Sequence, residues 1–400
     1  MSNTALTLVL ALLTMVGPLG IDTYLPSFPA IAREFGVTAL VIQQTLSVYM
    51  FGLAVMTLFY GTLSDSFGRR PVMLASLGLF AIASLACAFA PNAQALIGLR
   101  LLQGLAAAAG MVIARAMVQD RFKGAEAQRT MALMTMVFGL APAIAPLIGG
   151  WLQSALGWRS VFVFLAIFSG GLLAAGWKGL PETLPVSRRT PFHLGVIVGN
   201  YTRVLQHRRF MLKALAIALV FCGLPLYVGS ASAFVMDILH KPETAFGWLF
   251  FPIVGGLMTG SALASKLARR VSTHRMIRDG FALMTLAVSL GVAGNVLWAP
   301  ALPWVVLPLA LYTFGLAIAT PGMTIRTLDL FPKLIGMAAS MQGFMLMLLF
   351  SLVTGFVAPL LFDSALKLAV GHAVGVVAGM VLWWVAASKA TATVAATIAP

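Results

Sequence analysis

The stretch Gly17-Pro-Leu-Gly-Ile-Asp22-Thr-Tyr-Leu-Pro26-Ser-Phe-Pro29 sets one carboxylate among prolines. It lies in an apolar run that begins near Ala5 and meets no other charge before Arg33. A run of this length can cross a bilayer as a helix. The rest of the chain agrees. Of its 400 residues 60% are hydrophobic and 9% charged, with a mean hydropathy of +0.97. A soluble domain is nearer half apolar and a quarter charged. Lipid admits only helices or closed barrels across its core. The apolar runs are about 20 residues long instead of short alternating strands, so helices are expected. Cys87 and Cys222 both fall inside apolar runs and read as buried packing residues, with no disulfide or metal site.

The net charge of +15 would point to nucleic acid in a soluble chain. Here its distribution reports topology. Twelve spans are expected at 5–32, 40–63, 71–91, 93–120, 129–152, 158–179, 211–237, 244–267, 274–298, 301–325, 333–361 and 365–388. With the even-numbered gaps and both termini inside, the inside segments hold 20 Lys and Arg and the outside gaps 4. The inside set includes Arg269, Lys333 and Lys389; Arg100 and Arg115 lie within the fourth span. The asymmetry places both termini in the cytoplasm. Trp151 with Trp158, and Trp298 with Trp304, flank two outer turns as interfacial anchors would. No Lys or Arg precedes the first apolar run, so that span is expected to stay instead of being cleaved.

The polar gap with Pro181, Glu182, Pro185, Arg188, Arg189 and Pro191 divides the chain into six spans and six. The expected units are a six-helix bundle over 1–180, a cytoplasmic linker over 181–210 and a second six-helix bundle over 211–400. Within the linker, His193 to Arg209 reads as a short basic helix on the anionic membrane surface or a solvated connection. A faint internal match supports duplication. Gly61-Thr-Leu-Ser-Asp65-Ser-Phe-Gly68-Arg69-Arg70 follows the second span, and Ser261-Ala-Leu-Ala-Ser265-Lys-Leu-Ala268-Arg269-Arg270 follows the eighth. The double arginine survives and the aspartate does not, as expected of a degenerate transporter repeat.

The loop Gly61 to Pro71 carries distinct chemistry. Gly61 and Gly68 permit close approach or positive φ. Asp65 can cap the helix that Pro71 starts, and Arg69 and Arg70 can reach acids or helix carbonyls opposite. It reads as a conformational latch. This string resembles motif A of the major facilitator superfamily, G-x-L-x-D-x-x-G-R-R. Arg100-Leu-Leu-Gln103-Gly104 on the fourth span is similar to the RxxQG motif of proton-coupled members. Pro142-Ala-Ile-Ala145-Pro146-Leu-Ile-Gly149-Gly150 on the fifth resembles the antiporter motif, with Ala145 where the family usually has glycine. Asp22-Thr-Tyr-Leu-Pro26-Ser-Phe-Pro29 resembles the signature of the Bcr/CflA (bicyclomycin/chloramphenicol-resistance) branch of drug:proton antiporters. Leu330-Phe-Pro332 with Gly336-Met-Ala-Ala-Ser340 is similar to that branch's entry to the eleventh helix.

The resemblance implies an all-α, twelve-helix fold of two pseudo-symmetric six-helix bundles, whose helices 1, 4, 7 and 10 line a central cavity. It implies proton-coupled export of small amphipathic compounds, by a functional monomer in a bacterial inner membrane. The expected partners are a small-molecule drug or metabolite and the lipid bilayer, with no nucleic acid and no cofactor beyond the proton. Export of a normal metabolite, an amino acid or sugar derivative, is the alternative. An intramembrane enzyme is the remote one: no GxSxG, HExxH or phosphate-loop string occurs, and no paired carboxylates.

The residues point the same way. A carboxylate inside a bilayer is costly and marks function by default. Counting ~1.5 Å per residue, Asp22 lies roughly 16 Å from the outer end of its helix; Arg100 lies about 11 Å and Gln103 about 15 Å in along the fourth span. Depth alone does not make them neighbours. Pro26 leaves the carbonyl of Asp22 without its helical donor, and Pro29 does the same for Leu25. Asp22 is the expected proton carrier, Arg100 its tuning cation, and Gln103 a bond to substrate or aspartate. Family members sometimes carry a second acid two turns earlier; here Thr14 stands there. Tyr24, Tyr49, Met50, Phe138, Tyr227 and Phe234 are candidates to line an adaptable cavity, against a packing role for each. Asp237, His240, Lys241 and Glu243 read as a solvated outer rim, and His372 as rim or packing.

Overall fold

The computed structural model describes residues 3–268, 270–332 and 334–398, with the side chains of 194, 196 and 387–398 left undescribed. Arg269, Lys333 and the Lys389 side chain, counted above among the basic charges, lie outside the described residues. The described residues form helices and turns, with no strand among them. Eleven helices are long and apolar enough to span a membrane, and a bent pair makes a twelfth. They run Asn3–Phe35, Ala39–Phe67, Arg69–Ala88, Ala93–Arg121, Gly124–Leu156, Arg159–Gly179, the pair Arg208–Val220 and Gly223–Gly229, Gly247–Leu267, Thr273–Leu297, Leu307–Leu328, Ile335–Leu361 and Ala365–Ala386. We number these spans one to twelve. Each expected span has its counterpart. The tenth begins at Leu307 instead of 301: Pro303 lies in the turns over 302–306, and Pro308 sits in the first helical turn, where its missing N–H costs nothing.

The duplication seen faintly in the sequence is plain in the packing. In the first half span one packs on five, two on four, three on four and three on six; in the second, nine on ten, eight on ten and nine on twelve repeat the pattern six spans later. The second span ends at Phe67 and the eighth at Leu267, the same offset as the sequence match. The halves meet mainly where span two packs on eleven and span five on eight.

Two ends of the molecule differ. The basic end holds Arg69 and Arg70, Arg121 and the linker. Here the linker helix Leu194–Gln206 turns Ile197, Tyr201 and Val204 onto one face. That face packs against Phe210, Ala214, Ala338 and Met341, and Tyr201 donates its hydroxyl to Leu58 O at 2.7 Å. The helix is therefore a wedge among spans two, seven and eleven, with Ile197, Tyr201 and Val204 at helical spacing on its buried face. At the far end the halves are clasped: Gln44 Nε2 donates to Gly355 O at 2.8 Å, and Ser351 Oγ donates to Ser47 O at 2.7 Å. Trp151, Trp298 and Trp304 are exposed at this end. Trp158 is not an interfacial anchor. It is buried against Phe35 and Phe162 and donates its Nε1 to Glu34 at 2.6 Å.

Candidate functional site

The proline stretch breaks the first span where the chain geometry requires. The α-helix ends at Asp22, Leu25–Ser27 tighten into a 3-10 turn, and Phe28–Phe35 resumes as α-helix. Pro26 and Pro29 cannot donate to the ladder, so carbonyls one turn earlier are released. The Leu25 carbonyl accepts from Phe28 N in the tightened turn and also from the Ser232 hydroxyl of the second half. Asp22 stands at the break, only 3% exposed. Its carboxylate makes no hydrogen bond or ion pair with any described residue.

Arg100 is fully buried, and no acid meets it among the described residues. Its guanidinium lies 4.2 Å from the ring centroid of Tyr49, 4.7 Å from that of Tyr24 and 5.9 Å from that of Phe162. One terminal nitrogen donates to Gln103 Oε1, and Nε and the other terminal nitrogen have no partner. Desolvating a cation costs several kcal/mol, and each desolvated cation–π contact returns about 2 kcal/mol. Three aromatic rings thus replace the missing carboxylate. The rings are themselves fixed: Tyr49 donates to Gly17 O at 2.9 Å, and the Tyr24 and Thr45 hydroxyls lie 3.0 Å apart. Gln103 Nε2 donates to Ser84 Oγ at 2.7 Å.

The structure therefore brings Tyr24, Tyr49, Arg100 and Gln103 into one buried cluster, but not as a wall of an open cavity. Gln103 spends both ends of its amide on Arg100 and Ser84 and makes no bond to Asp22. Asp22 is not locked to Arg100 either, which removes a permanent ion pair as the reason for the carboxylate. Thr14 donates to Ala11 O at 2.6 Å and supplies no acid. Met50 is buried in the same core, and Phe138 is half-buried on span five. Tyr227 and Phe234 pack edge to face at 5.4 Å inside the second half. Sequence reasoning missed Ser84 and Phe162; nothing in their own segments singles them out.

The antiporter-type string on span five acts through its glycines. A Cβ at Gly149 would stand 2.7 Å from the Thr23 carbonyl carbon, and one at Gly150 would stand 3.1 Å from that of Glu243. These two positions let span five touch the break in span one and the loop before span eight. Pro146 and Ala145 are buried beside them, and Pro142 is half-buried.

The loop after span two forms its own network. Arg69 pairs with Asp65 at 2.5 Å and with Asp120 at 3.1 Å, and Arg70 donates to Trp177 O at 2.8 Å. Asp65 does not cap the third span, which begins at Arg69 instead of Pro71 after Gly68 at φ 101°. Glu182 caps it, accepting from Arg69 N at 3.0 Å and Arg70 N at 3.3 Å, where a carboxylate suits the helix dipole. Asp120 and Glu182 were the missed acids; each lies beside a basic or proline-bounded segment that gave it no distinct signal. All these bonds stay within the first half and linker.

The model of the Major Facilitator Superfamily matches residues 10–359. The bicyclomycin resistance protein homolog of Haemophilus influenzae is 31% identical over 70% of this chain and 70% of its own. The multidrug transporter MdfA of Yersinia pestis is 28% identical over 83% of this chain and 81% of its own. The solved human organic anion transporter MFSD10 (TETRAN) superposes with a TM-score of 0.71 at 18% identity, covering 96% of this chain and 100% of its own, a likeness of fold.

Proposed function

Since the chain belongs to the Major Facilitator Superfamily, we propose that it is a proton-coupled exporter of small amphipathic compounds, of the kind named for its resistance relatives. It works in a bacterial inner membrane with its basic end and both termini in the cytoplasm. The observation that carries this reading is Asp22: a buried carboxylate without a partner among the described residues, at a break in span one.

A carboxyl can hold a proton in one environment and give it up in another. Drug entering from the basic end meets Asp22 and takes its proton's place. The proton leaves to the cytoplasm, and a new one is bound once the far end opens. Competition for one carboxyl gives exchange without a second acid. Arg100 keeps a positive potential within the same bundle, and Tyr24, Tyr49 and Gln103 hold it in place. Met50, Phe138, Tyr227 and Phe234 shape the apolar surroundings that an opened cavity presents.

Support for the direction comes from the clasp. The far end is sealed by Ser47–Ser351 and Gln44–Gly355, while the Asp65–Arg69 network makes no bond to the second half. With the far end sealed, the basic end is the side from which drug would enter. The rocking of two repeats about a central site then supplies alternating access. Transport into inverted vesicles, with a panel of neutral and cationic amphipathic compounds and a proton-release readout, tests the reading. Compound movement coupled to proton exit supports it. Movement of a metabolite but of no drug would transfer the role to metabolite export.

A further inference from the structure

The second half holds a buried titratable group that this scheme leaves unused. His372, on span twelve, is 3% exposed. Tyr312 of span ten meets its ring edge to face at 4.2 Å, and Tyr227 of span seven at 5.8 Å. Its Nε2 is buried and has no hydrogen-bond partner, although buried polar atoms are almost always paired. That edge presses on span seven where the span bends by 44°, between Val220 and Gly223. A Cβ at Gly223 would stand 2.6 Å from His372 Cδ2 and closer still to Nε2. The Val220 carbonyl at the same joint is held by the Tyr312 hydroxyl at 2.7 Å.

His372 also lines a pocket of about 10 Å³ with Asn295, Gly291, Pro308 and Tyr227. That is room for about one water. Asn295 lies two residues from the far end of span nine, and its buried Oδ1 is also without a partner. The groups facing the imidazole are thus Tyr312 from span ten, Tyr227 and the nearby Cys222 from span seven, and Asn295 from span nine. No carboxylate or cation among the described residues bonds to it.

We propose that His372 is a second proton-binding residue, supplied from the far side through the Asn295 pocket and acting on the bend of span seven. This rests on the proton-coupled reading above. A proton from water at the far side adds to a ring lone pair and leaves hydroxide behind in that water. The imidazolium then has N–H donors on both edges, and the one at the joint competes for backbone carbonyls there. Released again, the proton goes to the opposite side with Asp22's.

The test needs no drug. Full-length protein in proteoliposomes on a solid-supported electrode is given a pH jump, and the transient charge displacement is read. Wild type shows two contributions. Asp22→Asn keeps the second, with a pH dependence of its own. His372→Gln keeps only the first, and the double variant shows none. If Asp22→Asn abolishes the transient while His372→Gln leaves it at wild type, His372 binds no proton and the Asp22 reading stands. If neither single variant changes it, both readings fall. Should His372→Gln not fold, Asn295→Leu keeps the imidazole and closes its supply. Added to Asp22→Asn, it slows the residual transient if the proposal holds; an unchanged rate overturns it.

Discussion

The two halves share a helix arrangement yet treat their buried polar centres in opposite ways. In the first, a permanent cation without an acid is caged by Tyr24, Tyr49 and Phe162, and an unpaired carboxylate stands at the broken first span. In the second, a neutral-capable imidazole takes the central place beside Tyr312, at the bent seventh span. Each half also fastens its leading span by a tyrosine: Tyr49 to the Gly17 carbonyl and Tyr312 to the Val220 carbonyl. The shared part is scaffold. The difference is in the buried ionisable groups, and the proposed function places the main coupling step in the first half.

The comparison breaks most readily at Asp22. Asp22→Asn is expected to abolish proton-driven export measured in whole cells, while protein level and fold remain normal. Arg100→Lys keeps the charge and loses the planar stacking surface. At about 2 kcal/mol per desolvated contact, scanning fluorimetry should show a markedly lower melting temperature. An unchanged melting temperature would show that the cage holds charge alone. Gly149→Ala forces a methyl against the Thr23 carbonyl; overpacking of this kind costs about 1–3 kcal/mol. The cost should appear as slowed transport with little loss of protein.

Smaller effects sharpen the contrast between halves. Tyr49→Phe and Tyr312→Phe each remove one hydroxyl-to-carbonyl bond, worth about 1 kcal/mol of stability by thermal unfolding. Tyr49→Phe, which frees a ring that bears on Arg100, should lower drug-induced proton release more than Tyr312→Phe. Equal transport defects in both would contradict the division of roles. Ser351→Ala removes part of the far-end clasp. Hydrogen bonds between membrane helices average about 0.6 kcal/mol, so spin-label distances between spans two and eleven should shift modestly toward an open far end.

The spans and their pairing by repeat were legible because hydrophobic length and the positions of Arg69–Arg70 are local properties of the chain. The break at Asp22 was legible for a similar reason: Pro26 and Pro29 dictate which carbonyls lose donors. Their new partners were not, since Ser232 lies more than two hundred residues away and reaches Leu25 only through the packing of two halves. Depth along two helices placed Arg100 and Gln103 level with Asp22 but gave no rotation about the helix axis. The structure turns them into the bundle, toward Ser84 and Phe162. The same blindness to rotation hid Trp158, which pairs with Glu34 instead of meeting lipid. His372 read as rim or packing because the Nε2 contact with Gly223 depends on how spans seven and twelve cross.

The central claim is that Asp22 exchanges its proton for drug. It is tested most directly on purified protein in weakly buffered detergent, adding a transported neutral compound and measuring proton release with a pH-sensitive dye. Wild type should release protons on binding, and Asp22→Asn should bind the compound with that release lost or confined to any contribution from His372. Release from Asp22→Asn equal to wild type, at equal occupancy, would contradict the account.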